Sequence, residues 1–164
     1  MQSYTELSSP LGLLTITQED GYLTAIRLDS PDAGLPRCDN EPVLQLAVSW
    51  LRDYFDGKAP DSSLLPIRPQ GTAFQRSVWE ILRTIPYGSS LSYGEIARRL
   101  SPRMSAQAVG GAVGRNPLLI VVPCHRVLGK DGSLTGFSAG IDRKRFLLDL
   151  EKIPYTDKHT EATP

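Results

Sequence analysis

In the run Pro123-Cys124-His125-Arg126-Val127, Cys124 and His125 set a nucleophile beside a base, a pair capable of covalent chemistry. A free thiol has a pKa of about 8.5 and only the thiolate attacks well, so a nucleophilic cysteine needs a base or a positive environment. His125 and Arg126 are the candidates to supply one. The apolar, β-branched run Leu118-Leu119-Ile120-Val121-Val122 comes just before and predicts a buried strand, with Pro123 ending its pairing. A nucleophile at the end of such a strand is held rigidly and still reaches a cleft. Neighbours on a strand point to opposite faces, so a water is expected to bridge Cys124 and His125 unless the backbone turns there. An arbitrary Cys-His pair is more often an inert thiol beside a hydrogen-bonded core histidine, and the rest of the chain has to decide.

The 164 residues suit one large domain or two small ones. No run approaches a membrane span, and Met1-Gln2-Ser3-Tyr4-Thr5-Glu6 lacks the basic and apolar regions of a secretory signal, which predicts a cytoplasmic protein. Thiols stay reduced there, so Cys38 and Cys124 are expected to be free. With His125 and His159 they are too scattered for a structural zinc site, and neither metal nor cofactor is expected. The net charge of zero hides an asymmetry. Residues 1–71 carry five Lys/Arg against ten Asp/Glu, whereas residues 72–153 carry twelve against six. Such a split predicts that one part meets a polyanion and the other does not.

The pattern divides at the same place. Short strands are predicted around Tyr4–Leu7, Leu13–Thr17 and Tyr22–Leu28, with turns at Ser9-Pro10-Leu11-Gly12 and Glu19-Asp20-Gly21. A helix opens at Glu41-Pro42, buries Val43, Leu46, Ala47, Trp50, Leu51 and Tyr54, and ends at Gly57. Residues 58–71, with three prolines, predict a linker between an N-terminal α/β domain (1–57) and a mostly helical domain (72–153). Residues 154–164 are expected to be a disordered tail. The fold class is α+β.

In the helical part Thr72 caps a helix with Phe74, Val78, Ile81 and Leu82 on one face, stopped by Pro86-Tyr87-Gly88. Ser92 caps Tyr93–Leu100, and Ser105 caps a stretch ending near Arg115, which together predict a helix-turn-helix. The second helix of that pair is rich in Ala106, Ala108, Gly110, Gly111, Ala112 and Gly114. Internal glycines cost about 1 kcal/mol each against alanine, so a closely packed helix or a DNA groove should compensate.

The pentapeptide, with Thr72-Ala73-Phe74-Gln75, Ile85-Pro86-Tyr87-Gly88, Ser92-Tyr93-Gly94-Glu95-Ile96-Ala97, Ala108-Val109-Gly110-Gly111-Ala112, Asn116-Pro117 and Leu147-Leu148-Asp149-Leu150-Glu151, resembles the methylated-DNA–protein-cysteine methyltransferases, also called O6-alkylguanine-DNA alkyltransferases. The resemblance covers residues 72 to 153, half of the chain, and its strength lies in the order and spacing of the motifs together. It implies a ribonuclease H-like N-terminal domain and direct, irreversible transfer of an alkyl group from O6-alkylguanine, and from O4-alkylthymine, in double-stranded DNA to Cys124. It also implies a monomer that needs no cofactor and reacts once, because a thioether does not leave.

Roles implied by the resemblance fall on particular positions. Glu151 orients His125 in a Glu151-His125-water-Cys124 relay, and Tyr93 faces N3 of the extruded guanine and can give it a proton. Asn116 is the hinge between the recognition helix and the active-site segment. Backbone groups of Cys124, Val127 and Ser138 select the base, with Phe137 standing where tyrosine is common and Ala139 where glycine is common. Ser92, Ala106, Gln107, Gly110 and Arg115 belong to the DNA-binding elements, whose second helix enters the minor groove. Gln107 stands where the family has an arginine that fills the vacated base stack, and it lacks both charge and guanidinium plane. Two other readings stay open: a non-catalytic lesion-binding protein, against which the intact Cys124 argues, and a cysteine hydrolase that ignores DNA.

Overall fold

The computed structural model describes residues 1–156, so His159 and most of the expected tail lie outside the described residues. Two compact units divide the chain, one of residues 1–70 and 117–121, the other of residues 71–116 and 122 onward. Among the described residues no helix is long and apolar enough to cross a membrane.

The first unit holds an antiparallel sheet, β1 (Gln2–Ser9), β2 (Gly12–Glu19) and β3 (Tyr22–Arg27), in that spatial order. Register is set by the Ser9↔Gly12 pair, where Gly12 takes φ 120, and it shifts at Thr17/Gln18 in the pairing of β2 with β3. Helix α1 (Pro42–Phe55) begins where the Glu41 carboxylate accepts bonds from the Val43 and Leu44 amides, a cap contributing about 1 kcal/mol. Its buried face is Val43, Leu44, Ala47, Trp50, Leu51 and Tyr54, packed on the sheet. Leu46, expected in that face, is turned outward and Leu44 takes its place. Within residues 58–71, read from the sequence as linker, residues 66–68 run along β3: the Leu23 amide donates to the Pro66 carbonyl and the Arg68 amide returns a bond to the Leu23 carbonyl, with Leu65 buried just before them.

Residues 118–122 correct the expected strand. Leu118 makes only a single bridge to Ile26, and Leu119–Val121 form a tight turn with Ile120 at φ 71. All five side chains are buried. Their apolar run therefore reports burial on every side, and the flanking Pro117 and Pro123, which lack amide donors, leave too little length for a ladder.

In the second unit α2 (Ala73–Arg83) starts with a reciprocal Thr72–Gln75 capping box. It buries Val78, Trp79 and Leu82, and the Trp79 indole donates to the Ala112 carbonyl at 2.9 Å. A two-residue strand β4 (Leu91–Ser92) runs into α3 (Tyr93–Leu100), opened by a Ser92–Glu95 capping box. After the turn at Ser101–Met104, Ser105 caps α4 (Ala106–Gly114), completing the helix-turn-helix. Strand β5 (Val127–Leu128) pairs parallel with β4. Helix α5 (Ile141–Leu150) closes the unit, with Leu148 packed against Leu128, Leu134 and Ile153.

Candidate active site

Cys124 opens a single 3-10 turn, Cys124–Arg126, so successive side chains diverge around a helical turn and not across the faces of a strand. That one local change sends three functional groups in three directions. The thiol faces a cavity of about 320 Å³ lined by Tyr93, Gly110, Val113, Gly136, Phe137 and Ser138. His125 and Arg126 instead point into the interior toward Glu151, the residue that ends α5.

Glu151 is the hub. Its carboxylate meets His125 Nε2 at 2.5 Å, accepts from Arg126 Nε at 2.7 Å and Nη2 at 3.1 Å, and accepts the Gly88 amide at 3.1 Å. Arg126 also donates through Nη1 to the Ile85 carbonyl at 2.7 Å. The side chains of His125 and Glu151 are fully buried. Burial favours the uncharged imidazole and takes the His125 pKa below its ordinary value, against the opposing pull of Glu151. Burial alone would raise the carboxyl pKa of Glu151, but the bonds and charges of His125 and Arg126 outweigh it and keep the group ionised.

The thiol sits in a conflicting environment. Burial pushes its pKa up to about 11, while the Asn116 amide, the Lys144 ammonium and the backbone N–H groups of Cys124 and His125 favour the thiolate. At neutral pH the resting form is thus the thiol, and attack requires a base to take the proton. The Asn116 amide also donates to the Val122 carbonyl at 2.7 Å, which joins the end of α4 to the approach to Cys124. Tyr93 is mostly buried at the cavity wall, its hydroxyl 3.1 Å from Thr135 Oγ1; burial raises its pKa and the Thr135 bond opposes the rise. It is therefore a phenol at neutral pH, able to give a proton.

Of the residues expected from the sequence, Cys124, Tyr93, Gly110, Phe137 and Ser138 line the cavity, and His125, Glu151, Asn116 and Val127 form the buried layer around the thiol. Ser92, Ala106, Gln107 and Arg115 do not line it. Ser92 spends its hydroxyl on the α3 cap, while Ala106, Gln107 and Arg115 are exposed on and just after α4. A Cβ at Gly110 would make only ordinary contact with the Tyr93 ring, at 3.8 Å, and a Cβ at Gly111 or Gly114 would meet nothing. Close helix packing does not account for those two glycines.

Three groups escaped the sequence reading. Lys144 on α5 is fully buried, donates to the Val127 carbonyl at 2.7 Å and has no carboxylate in ion-pair range among the described residues; burial lowers its pKa to about 8. A lysine amid charged neighbours in Asp142-Arg143-Lys144-Arg145 looks like a solvated helix face. Thr135 gives no signal, and Arg126, a candidate positive group for the thiol in the sequence, spends its charge on Glu151 instead.

Residues 73–153 match the 6-O-methylguanine DNA methyltransferase DNA-binding domain, and residues 3–69 match that family's ribonuclease-like domain. A methylated-DNA–protein-cysteine methyltransferase of Haemophilus influenzae is 46% identical, with 98% of this chain and 92% of the relative covered. The constitutive enzyme of that name from Bacillus subtilis is 39% identical over 96% of this chain and all of its own length. Among solved structures, the Mycobacterium tuberculosis OGT in complex with DNA is 42% identical and superposes with a TM-score of 0.82 over 92% of each chain. The chain belongs to the 6-O-methylguanine DNA methyltransferase family, the methylated-DNA–protein-cysteine methyltransferases of DNA repair.

Proposed function

We propose that this protein repairs double-stranded DNA by moving the alkyl group of O6-alkylguanine, and of O4-alkylthymine, irreversibly to its own Cys124. The observation that carries the reading is a buried thiol on a cavity wall, backed by an ionised Glu151 that holds the neighbouring imidazole. Glu151 engages Nε2, so the thiol proton leaves toward Nδ1, the other buried nitrogen of His125, through a water. The sulfur attacks the alkyl carbon in line, the S–C bond forms and the C–O6 bond breaks. Negative charge builds on the departing guanine, and the Tyr93 hydroxyl gives its proton to N3. Return of the thiol's proton from His125 to Tyr93 leaves neutral guanine and S-alkylcysteine. Among the described residues no group is placed to break a thioether, so each molecule reacts once.

A base stacked in a duplex cannot reach a thiol inside a cavity, so the lesion is flipped out of the helix, least expensively where its pairing is already damaged. Helix α4 delivers it. Its outward face of Ala106, Gln107, Ala108, Gly111 and Gly114 carries little bulk, which suits the narrow minor groove. Gln107 stands in for the stacking arginine of the family, and flipping is accordingly weaker for lesions that still pair well. Ser92 and Arg115 flank the DNA-facing surface. Contacts go largely to the backbone, so binding has weak sequence preference and strong salt dependence. Residues 72–153 form the reacting domain, the N-terminal domain supports it, and the protein works as a monomer in the cytoplasm.

The test is a stoichiometric transfer assay with a duplex carrying radiolabelled O6-methylguanine. The reading expects one methyl per protein with no further turnover. Release of free methyl product, or continued turnover past one equivalent, overturns it.

A further inference from the structure

The proposed transfer step leaves Arg126 without a task, yet this side chain is nearly as buried as Glu151 and makes two bonds to its carboxylate. Its third bond anchors it to the Ile85 carbonyl, and its guanidinium lies 5.7 Å from the centre of the Tyr87 ring. The Gly88 amide reaches the same carboxylate, so Arg126 and the Ile85–Gly88 turn grip Glu151 together. A bidentate guanidinium does more than orient an acid: it shares the acid's negative charge.

We propose that Arg126 is a positioning residue for the proton relay: by holding Glu151 and taking up its charge, it keeps His125 a neutral imidazole of one tautomer, ready to accept the thiol proton. An unshared buried carboxylate 2.5 Å from Nε2 would draw a proton onto His125 at rest, and an imidazolium cannot act as a base. The charged and titratable groups around His125 are Glu151, which favours its protonated form, and Arg126 and Lys144, which disfavour it, with the Cys124 thiol as its neighbour in the chain. Arg126 is the one of these bonded directly to the carboxylate that pulls the other way. Its effect thus cancels the Glu151 charge without losing the orienting hydrogen bond.

This inference deepens the proposed relay, and its test reads His125 in the DNA-free protein, so it can fail while alkyl transfer stands. The chain has two histidines, His125 and His159, which makes 15N imidazole NMR assignable with a His159→Ala control. In the wild type, His125 is expected to remain a single neutral tautomer from pH 8 down to pH 6, and an imidazolium signal at pH 6 to 8 would overturn the proposal with no variant needed. Arg126→Met is expected to raise the His125 midpoint by about one pH unit or more, and Arg126→Lys, which restores a charge, to bring it back toward the wild type. A His125 titration unchanged in Arg126→Met contradicts the proposal. Should Arg126→Met not fold, Arg126→Lys decides it, because a lysine cannot make the two-pronged bond to the carboxylate: a His125 midpoint above that of the wild type supports the proposal, and an identical midpoint refutes it.

Discussion

Each unit contains an arginine next to or near a cysteine and gripped by acids, and the two arrangements behave differently. In the N-terminal unit Arg37 pairs with Glu6 at 2.5 Å and Asp39 at 2.9 Å, beside Cys38, but Arg37 is 46% exposed and Cys38 open to solvent. In the second unit Arg126 pairs with Glu151, whose side chain is fully buried, two residues after the buried Cys124. Water screens the first cluster, so its ion pairs contribute little to stability and nothing to reactivity. In the second, the low dielectric makes each partner matter, because an unmatched charge cannot be solvated. Similar residue types become chemistry only where burial makes their charges answer to one another.

The cysteines give the widest separation between the two regions. Cys124→Ser should abolish alkyl transfer, whereas Cys38→Ser should leave the single-turnover rate unchanged, both read by labelled-methyl transfer. Loss of activity with Cys38→Ser would end the distinction. Next in size is Glu151→Gln, expected to slow transfer by about 100-fold through loss of the oriented base. It also leaves Arg126 buried without its carboxylate, which should lower unfolding stability by about 3 kcal/mol in a urea titration. Glu6→Gln in the exposed cluster should do neither.

Lys144→Met probes the buried cation that no carboxylate matches among the described residues. Loss of the ammonium removes support for the Cys124 thiolate, so transfer at pH 7 should fall by about tenfold, with the deficit shrinking above pH 8 as the wild-type Lys144 itself loses its proton. Stability should move the other way. The folded-state pKa of Lys144, about 8, lies below its ordinary 10.5, so the unfolded chain binds the extra proton between those values and wild-type stability rises with pH across that window. Lys144→Met should flatten this rise and be more stable at pH 7, as equilibrium denaturation at pH 7 and 10 would reveal. Smallest is Gln107→Arg on the exposed face of α4, expected to speed transfer from well-paired lesions by roughly threefold through added stacking. No change in either DNA affinity or rate would show that glutamine is no handicap.

What the sequence reveals and conceals follows the same division by environment. The three strands, the caps at Thr72, Ser92 and Ser105, and both helices of the helix-turn-helix are written in local signals that the structure obeys. The motif positions around Cys124 were legible through their resemblance to a family, and the cavity gathers Tyr93, Phe137 and Ser138 beside the thiol. Residues 118–122 misled because an apolar run looks alike in a strand and in a fully buried turn. Leu46 misled because Leu44 and Leu46 both fit a helical stripe. Lys144, and the partner of Arg126, are hidden for a deeper reason: charged residues are solvated by default, and only the tertiary fold shows which are stripped of water.

Whether Cys124 itself receives the alkyl group is decided by peptide mass mapping of the protein after incubation with an O6-methylguanine duplex. A gain of one methyl mass is expected, confined to the peptide containing Cys124 and complete at one equivalent of lesion. Methyl on the Cys38 peptide instead, or an unmodified protein beside a repaired duplex, would contradict it.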